Sequence, residues 1–158
     1  MFGLFKAKKQ MVVSPADGDI VSLSEVPDEV FSAKLAGDGI ALVPRSNTFV
    51  APVSGIVTKI FSTNHAFSIT TSSGLDVLVH IGLDTVELNG EGFKRLVEEG
   101  TKVSVGKPII SADLAFIESK GKPIITPIVL NHEKELELTI DVINTIREGQ
   151  NLIEVTIK

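Results

Sequence analysis

The chain has 158 residues, no cysteine, and fifteen basic against twenty acidic side chains, with 43% of its residues hydrophobic. That length fits one domain with a substantial core, and the mildly acidic balance, without a basic stripe interleaved with aromatics, argues against a nucleic-acid surface. The lack of cysteine removes disulfides, thiolate nucleophiles and thiolate metal sites and suits a reducing compartment; no apolar run has the length of a transmembrane helix or a signal-peptide core, so a cytoplasmic protein is expected.

Residues 1–10 read as a flexible tail ahead of a single domain over 11–158. The tail sequence Met1-Phe2-Gly3-Leu4-Phe5-Lys6-Ala7-Lys8-Lys9 mixes bulky apolar side chains with lysines. Such a composition suits weak contact with an anionic bilayer as a short helix. Beyond it the chain reads as strand. Ile20–Leu23, Gly39–Val43, Gly55–Phe61, Lys107–Ile110, Pro123–Ile125, Pro127–Leu130 and Leu152–Val155 are short, rich in Ile and Val, and bounded by Gly, Pro, Asn and Asp. Leu136–Val142 alternates with period two. One helix is predicted over Gly92–Gly100, with Phe93, Leu96 and Val97 on one face and a glycine at its end. There is also an internal echo. Ser14-Pro15-Ala16-Asp17-Gly18 before Ile20-Val21 resembles Ala51-Pro52-Val53-Ser54-Gly55 before Ile56-Val57, as pseudo-symmetric halves of one sandwich would. The expected fold is all-β: an antiparallel β-sandwich or barrel-sandwich hybrid with duplicated halves and one or two short helices.

Chemistry concentrates in one hairpin. Asn64–Thr70 and Leu75–Ile81 read as strands around Thr71-Ser72-Ser73-Gly74. Folding back between Ser72 and Ser73 places His65 opposite His80, with Phe67 opposite Leu78 and Thr63 opposite Gly82 on the same face. Directly opposed side chains sit roughly 5 Å apart at Cβ. A lone strand histidine is ordinarily a satisfied polar residue, but two imidazoles in contact cannot both be protonated cheaply and fill a core worse than Leu or Val. His132, in a polar loop with no partner motif, is read as incidental.

Three stretches in this order and spacing, Thr63-Asn64-His65-Ala66-Phe67, Val79-His80-Ile81-Gly82-Leu83-Asp84-Thr85-Val86-Glu87-Leu88 and Gly90-Glu91-Gly92-Phe93, resemble the glucose-type IIA protein of the bacterial phosphoenolpyruvate-dependent sugar phosphotransferase system. The resemblance extends through Ser14-Pro15, Val26-Pro27-Asp28, Gly37–Ala41 and Ala51-Pro52-Val53. It implies a cytoplasmic phosphocarrier that accepts a phosphoryl group from the phosphocarrier protein HPr and hands it to a sugar-specific IIB domain of a membrane permease. By position, His80 would be phosphorylated on Nε2 and His65 would stabilise the phosphoryl group, with the Thr63 hydroxyl behind His65 and the Gly82 carbonyl behind His80. The scheme requires no cofactor and no metal. The resemblance also implies a docking surface of Asp28, Val30, Phe31, Phe61, Phe67, Leu78, Asp84 and Glu87, an apolar patch with acids at its rim. Glu29 departs from that pattern, standing where an apolar residue is expected.

Three other readings compete. A zinc hydrolase would use His65 and His80 as ligands but needs a third ligand and a base; a zinc shared with a partner's carboxylate needs only the pair. A biotinyl or lipoyl carrier, suggested by the turn Pro52–Gly55, needs a lysine at a hairpin tip where this chain has Ser72-Ser73. A regulatory binding module would use the phosphoryl group as a signal to transporters or enzymes, and is compatible with the carrier role.

Overall fold

The computed structural model describes residues 7–140 and 144–158. Among the described residues fourteen strands, numbered in chain order, form three antiparallel sheets. The largest has eight strands in the order β13 (Thr145–Ile146), β2 (Gly18–Val21), β3 (Asp38–Pro44), β11 (Thr126–Asn131), β7 (Asp76–His80), β6 (Ala66–Thr70), β5 (Gly55–Ile60), β9 (Lys102–Val103). Two three-stranded sheets join β1 (Lys8–Val13), β14 (Asn151–Ile157) and β12 (Leu136–Ile140), and β4 (Thr48–Val50), β10 (Pro108–Ala112) and β8 (Phe93–Arg95). Two short α-helices, α1 (Glu29–Ser32) and α2 (Leu114–Ser119), and two single 3-10 turns, Leu23–Glu25 and Thr85–Leu88, complete the described elements.

The echo in the sequence is a pseudo-two-fold axis in the fold. Exchanging β13, β2, β3 and β11 with β9, β5, β6 and β7 reverses the large sheet onto itself, and the same exchange carries one small sheet onto the other. The two turns bond each other reciprocally: Val13 N–H donates to Pro52 O (2.9 Å) and Val50 N–H to Pro15 O (2.8 Å). Each also takes the same pair of bonds from a later loop, Ser14 with Gly149 and Gln150, Ala51 with Gly106 and Lys107. Glycine closes both turns for one reason. A Cβ on Gly18 would lie 2.3 Å from Val43 O, and one on Gly55 would lie 2.2 Å from Thr70 O.

The strand faces divide the apolar residues. Ile40, Leu42, Phe67, Ile69, Val77, Val79, Ile128 and Leu130 belong to the main core between the sheets. Ala41, Val129 and Leu78 alternate with them and face the opposite side, where Leu23, Val26, Phe31 and Leu83 form a smaller cluster beside α1. His80 follows Leu78 by two residues and therefore opens onto that smaller cluster.

Several expectations are corrected. Gly92–Gly100 contains no helix: Phe93–Arg95 is β8, and Gly92 and Gly100 both take positive φ, at 86° and 87°. Pro123–Ile125 is a connector rather than a strand. β1 begins at Lys8, paired with Ile157, so the last residues of the expected tail belong to the sheet; the rest of that segment before residue 7, and Asp141 and Val142 at the end of the strand predicted over Leu136–Val142, lie outside the described residues.

Candidate functional site

The two histidines are brought together by a register that differs from the expected one. The loop of the β6–β7 hairpin is Ser72-Ser73-Gly74, closed by Thr71 N–H to Leu75 O (2.9 Å), with Gly74 at φ 85°. A three-residue loop ending on a left-handed residue moves the ladder by one position relative to a two-residue turn. His80 therefore pairs with Ala66, and Phe67 with Val79. In an unbroken ladder that slip would put positions 65 and 80 on opposite faces. Contact is recovered because His65 lies just outside the strand, on the turn joining β5 to β6. There Asn64 N–H donates to Phe61 O (2.7 Å), Phe61 N–H donates to Ala66 O (3.0 Å), and Asn64 takes φ 60°.

The result is a row of four rings. Phe31 lies 5.1 Å from His80 between centroids, His80 4.9 Å from His65 at an interplanar angle of 80°, and His65 5.3 Å from Phe61. Each imidazole is held from behind. His80 Nδ1 is 2.7 Å from Gly82 O, and His65 Nδ1 is 2.6 Å from Thr63 Oγ1. A carbonyl oxygen only accepts, so His80 carries its proton on Nδ1 and keeps a lone pair on Nε2. Gly82 reaches this position at φ 77°, and a Cβ there would meet Thr85 Cγ2 at 2.6 Å and Pro123 O at 2.7 Å.

Burial keeps both rings neutral at pH 7. It pushes the His65 pKa down to about 4, with the His80 imidazole adding to the effect. The His80 pKa is also lowered by burial, against the opposing pull of the Gly82 carbonyl and the carboxylates of Asp28 and Asp84. Among the described residues, no group of three or more His, Cys, Asp and Glu side chains is placed to hold a metal ion. The pair alone thus offers two ligands, short of the set a zinc hydrolase needs.

Around the rings the remaining candidates divide. Asp28 caps α1, accepting from Val30 N–H at 2.9 Å, while Glu29 sits exposed in the first turn of that helix, where its charge suits the helix N-terminus. Val30 is 49% exposed, and Phe31 is buried against His80. Asp84 is exposed, and Glu87 is exposed but paired with Lys122 at 2.5 Å. Leu78 is half-buried in the smaller cluster. Phe67 is a correction: it is fully buried in the main core, turned away from the histidines by the one-residue slip, and has no surface to offer a partner. Two residues were missed. Val86, 51% exposed between Asp84 and Glu87, was signalled by an apolar residue among acids. Arg95, bonded to Asn64 Oδ1 at 2.8 Å, was hidden inside the mispredicted helix.

Comparison with known proteins identifies the family of the chain. Residues 10–136 match the family model for the phosphoenolpyruvate-dependent sugar phosphotransferase system, EIIA 1. The glucose-specific EIIA component of Buchnera aphidicola is 44% identical over 94% of this chain and 92% of its own length. The N-acetylglucosamine-specific EIICBA component of Klebsiella pneumoniae is 50% identical over 80% of this chain, which spans only 19% of that protein. The glucose permease IIA of Mycoplasma capricolum superposes with a TM-score of 0.88 at 40% identity, covering 93% of this chain and 96% of that one. The chain therefore belongs to the EIIA 1 family of the phosphoenolpyruvate-dependent sugar phosphotransferase system and is a phosphotransferase component of sugar uptake.

Proposed function

We propose that His80 is the phosphoryl acceptor, with HPr as donor and a sugar-specific IIB domain of a membrane permease as acceptor, in the cytoplasm. The observation that carries this reading is the pair of back-side hydrogen bonds on rings 4.9 Å apart. With Nδ1–H donated to Gly82 O, the His80 Nε2 lone pair attacks phosphorus. A new P–N bond forms as the P–N bond of phospho-HPr breaks, and the bonding electrons return to the imidazole of HPr. With the Thr63 hydroxyl donating to Nδ1, His65 carries its proton on Nε2 and donates it toward the equatorial oxygens, where negative charge accumulates. The apolar neighbours Phe31 and Phe61 limit water at a labile P–N bond. In onward transfer a nucleophile of IIB bonds to phosphorus as the His80 Nε2–P bond breaks and its electron pair returns to the His80 ring; the exchange is nearly balanced in free energy, so alignment is what the site supplies. Loss of the His65 donor should slow transfer by about two to three orders of magnitude.

The half-exposed Val30 and Val86 favour one companion role. A phosphoryl dianion placed among apolar groups changes what that surface binds, so the unphosphorylated form would regulate other transporters or enzymes. The relatives include both glucose-specific and N-acetylglucosamine-specific proteins, and the choice of sugar rests with the membrane partner.

The test is incubation with phosphoenolpyruvate, Enzyme I and HPr, followed by intact mass. An acid-labile phosphoryl adduct on the wild type and none on His80→Ala is the expected result. No adduct on the wild type, with phospho-HPr confirmed in the same tube, would overturn the proposal.

A further inference from the structure

We propose that Arg95 is a positioning residue for His65, setting its orientation through the side chain of Asn64; this rests on the reading of His65 as a donor to the phosphoryl group. His65 gets its direction from a turn, not from a strand. The residue before it, Asn64, is in the left-handed region at φ 60°, a conformation Asn tolerates better than most residues.

Arg95 holds it from outside. The guanidinium Nε–H donates to Asn64 Oδ1 at 2.8 Å, and Nη2 lies 3.5 Å from Phe61 O, the carbonyl that already accepts Asn64 N–H at 2.7 Å. One planar group thus addresses both ends of the turn. A lysine ammonium has no such fork.

The brace is itself anchored. Arg95 pairs with Ile110 in β8–β10, the next residue donates Leu96 N–H to Ile109 O (2.8 Å), and the Arg95 side chain is 29% exposed. Its Nη1 lies 3.6 Å from Glu98 Oε2. Four residues on, Glu99 Oε2 accepts from Ile60 N–H at 2.7 Å, just before the turn. The segment from Arg95 to Glu99 therefore fastens a small sheet to the turn of the large sheet that presents His65. The polar partners of Arg95 are Asn64, Phe61 and Glu98, and those of the two ring Nδ1 atoms are Thr63 and Gly82. The effect of Arg95 on chemistry passes through Asn64.

The test uses the full-length protein with phospho-HPr as donor, and compares Arg95→Lys and Asn64→Gly, alone and combined, in wild-type and His65→Gln backgrounds. Arg95→Lys keeps the charge and Asn64→Gly keeps the positive φ, so each is a mild change to the fold, and urea unfolding checks both. A displacement of about 1 Å at a reacting group costs up to about 100-fold in rate. Each single variant should slow phosphoryl acceptance by about 10- to 100-fold, and the double variant should be no slower than the slower single. In the His65→Gln background, Arg95→Lys should leave the rate unchanged while lowering the urea midpoint as before. Nitrogen-15 shifts of the His65 ring should move in Arg95→Lys with those of His80 in place. A wild-type rate in Arg95→Lys, or an equal slowing with and without His65, would overturn the proposal. If His65→Gln itself transfers at the wild-type rate, the reading of His65 falls and this proposal falls with it, whereas a slow His65→Gln beside a wild-type Arg95→Lys sinks the brace alone.

Discussion

Replacing His65 with glutamine should flatten the acid side of the protein's stability curve. In the folded chain His65 is 3% exposed and its pKa lies at about 4, against 6.5 for an unperturbed imidazole. Below pH 6.5 the unfolded chain takes up a proton that the folded chain refuses, so in this window the unfolded state binds more protons. Stability must then fall as pH drops from 6.5 and level off below about 4. Integrated over the window, this one ring removes about 2 kcal/mol by pH 5 and about 3 kcal/mol by pH 4. Urea unfolding of wild type and His65→Gln at half-unit intervals from pH 7.5 to pH 4 isolates it, because losses from carboxylates are common to both and cancel in the difference. The variant should lose about 3 kcal/mol less than the wild type across this range. Parallel curves would show that the ring is not held neutral by burial and would remove the electrostatic basis given for the pair.

Gly82→Ala should lower stability by at least about 2 kcal/mol, from the left-handed backbone and from a Cβ driven against Pro123 O, and the His80 ring nitrogens should then report mixed tautomers by NMR. Thr63→Val removes the hydroxyl behind His65 at nearly constant shape and leaves a buried Nδ1 unpaired, so stopped-flow transfer from phospho-HPr should slow about tenfold and urea unfolding should show a loss of about 1–3 kcal/mol. Val30→Asp and Val86→Asp change half-exposed positions, so stability should stay within about 0.5 kcal/mol while KM for phospho-HPr rises; an unchanged KM would remove both from the docking surface.

What the sequence disclosed depended on how far each signal reached. Short strands bounded by Gly and Pro declared themselves, because period and punctuation are local. The echo around Pro15 and Pro52 carried a long-range fact, the two-fold relation of the halves, because close backbone approach demands the same residues in both. The hairpin register was beyond reach for the opposite reason. Whether Gly74 belongs to the turn or to the strand changes no local pattern, yet it slips every pair by one and sends Phe67 into the core. His65 still met His80 because a second irregularity, the left-handed Asn64, turns the chain where the ladder ends. The predicted helix failed because Phe93, Leu96 and Val97 have helical spacing without helical work. Phe93 is buried as a strand residue, Leu96 is 41% exposed, and Glu99 accepts a bond from β5. In contrast, α2 was readable and overlooked: Asp113 caps it, accepting from Phe116 N–H at 3.0 Å, and Gly121 follows it at φ 77°.

The most direct test of the whole account is the site of the phosphoryl group. Protein labelled with nitrogen-15 in histidine and phosphorylated from phosphoenolpyruvate should show one-bond phosphorus coupling to Nε2 of His80, with Nδ1 still carrying its proton and donating it to Gly82 O. Coupling to His65, or to Nδ1 of His80, would contradict the assignment of nucleophile and orienting carbonyl together.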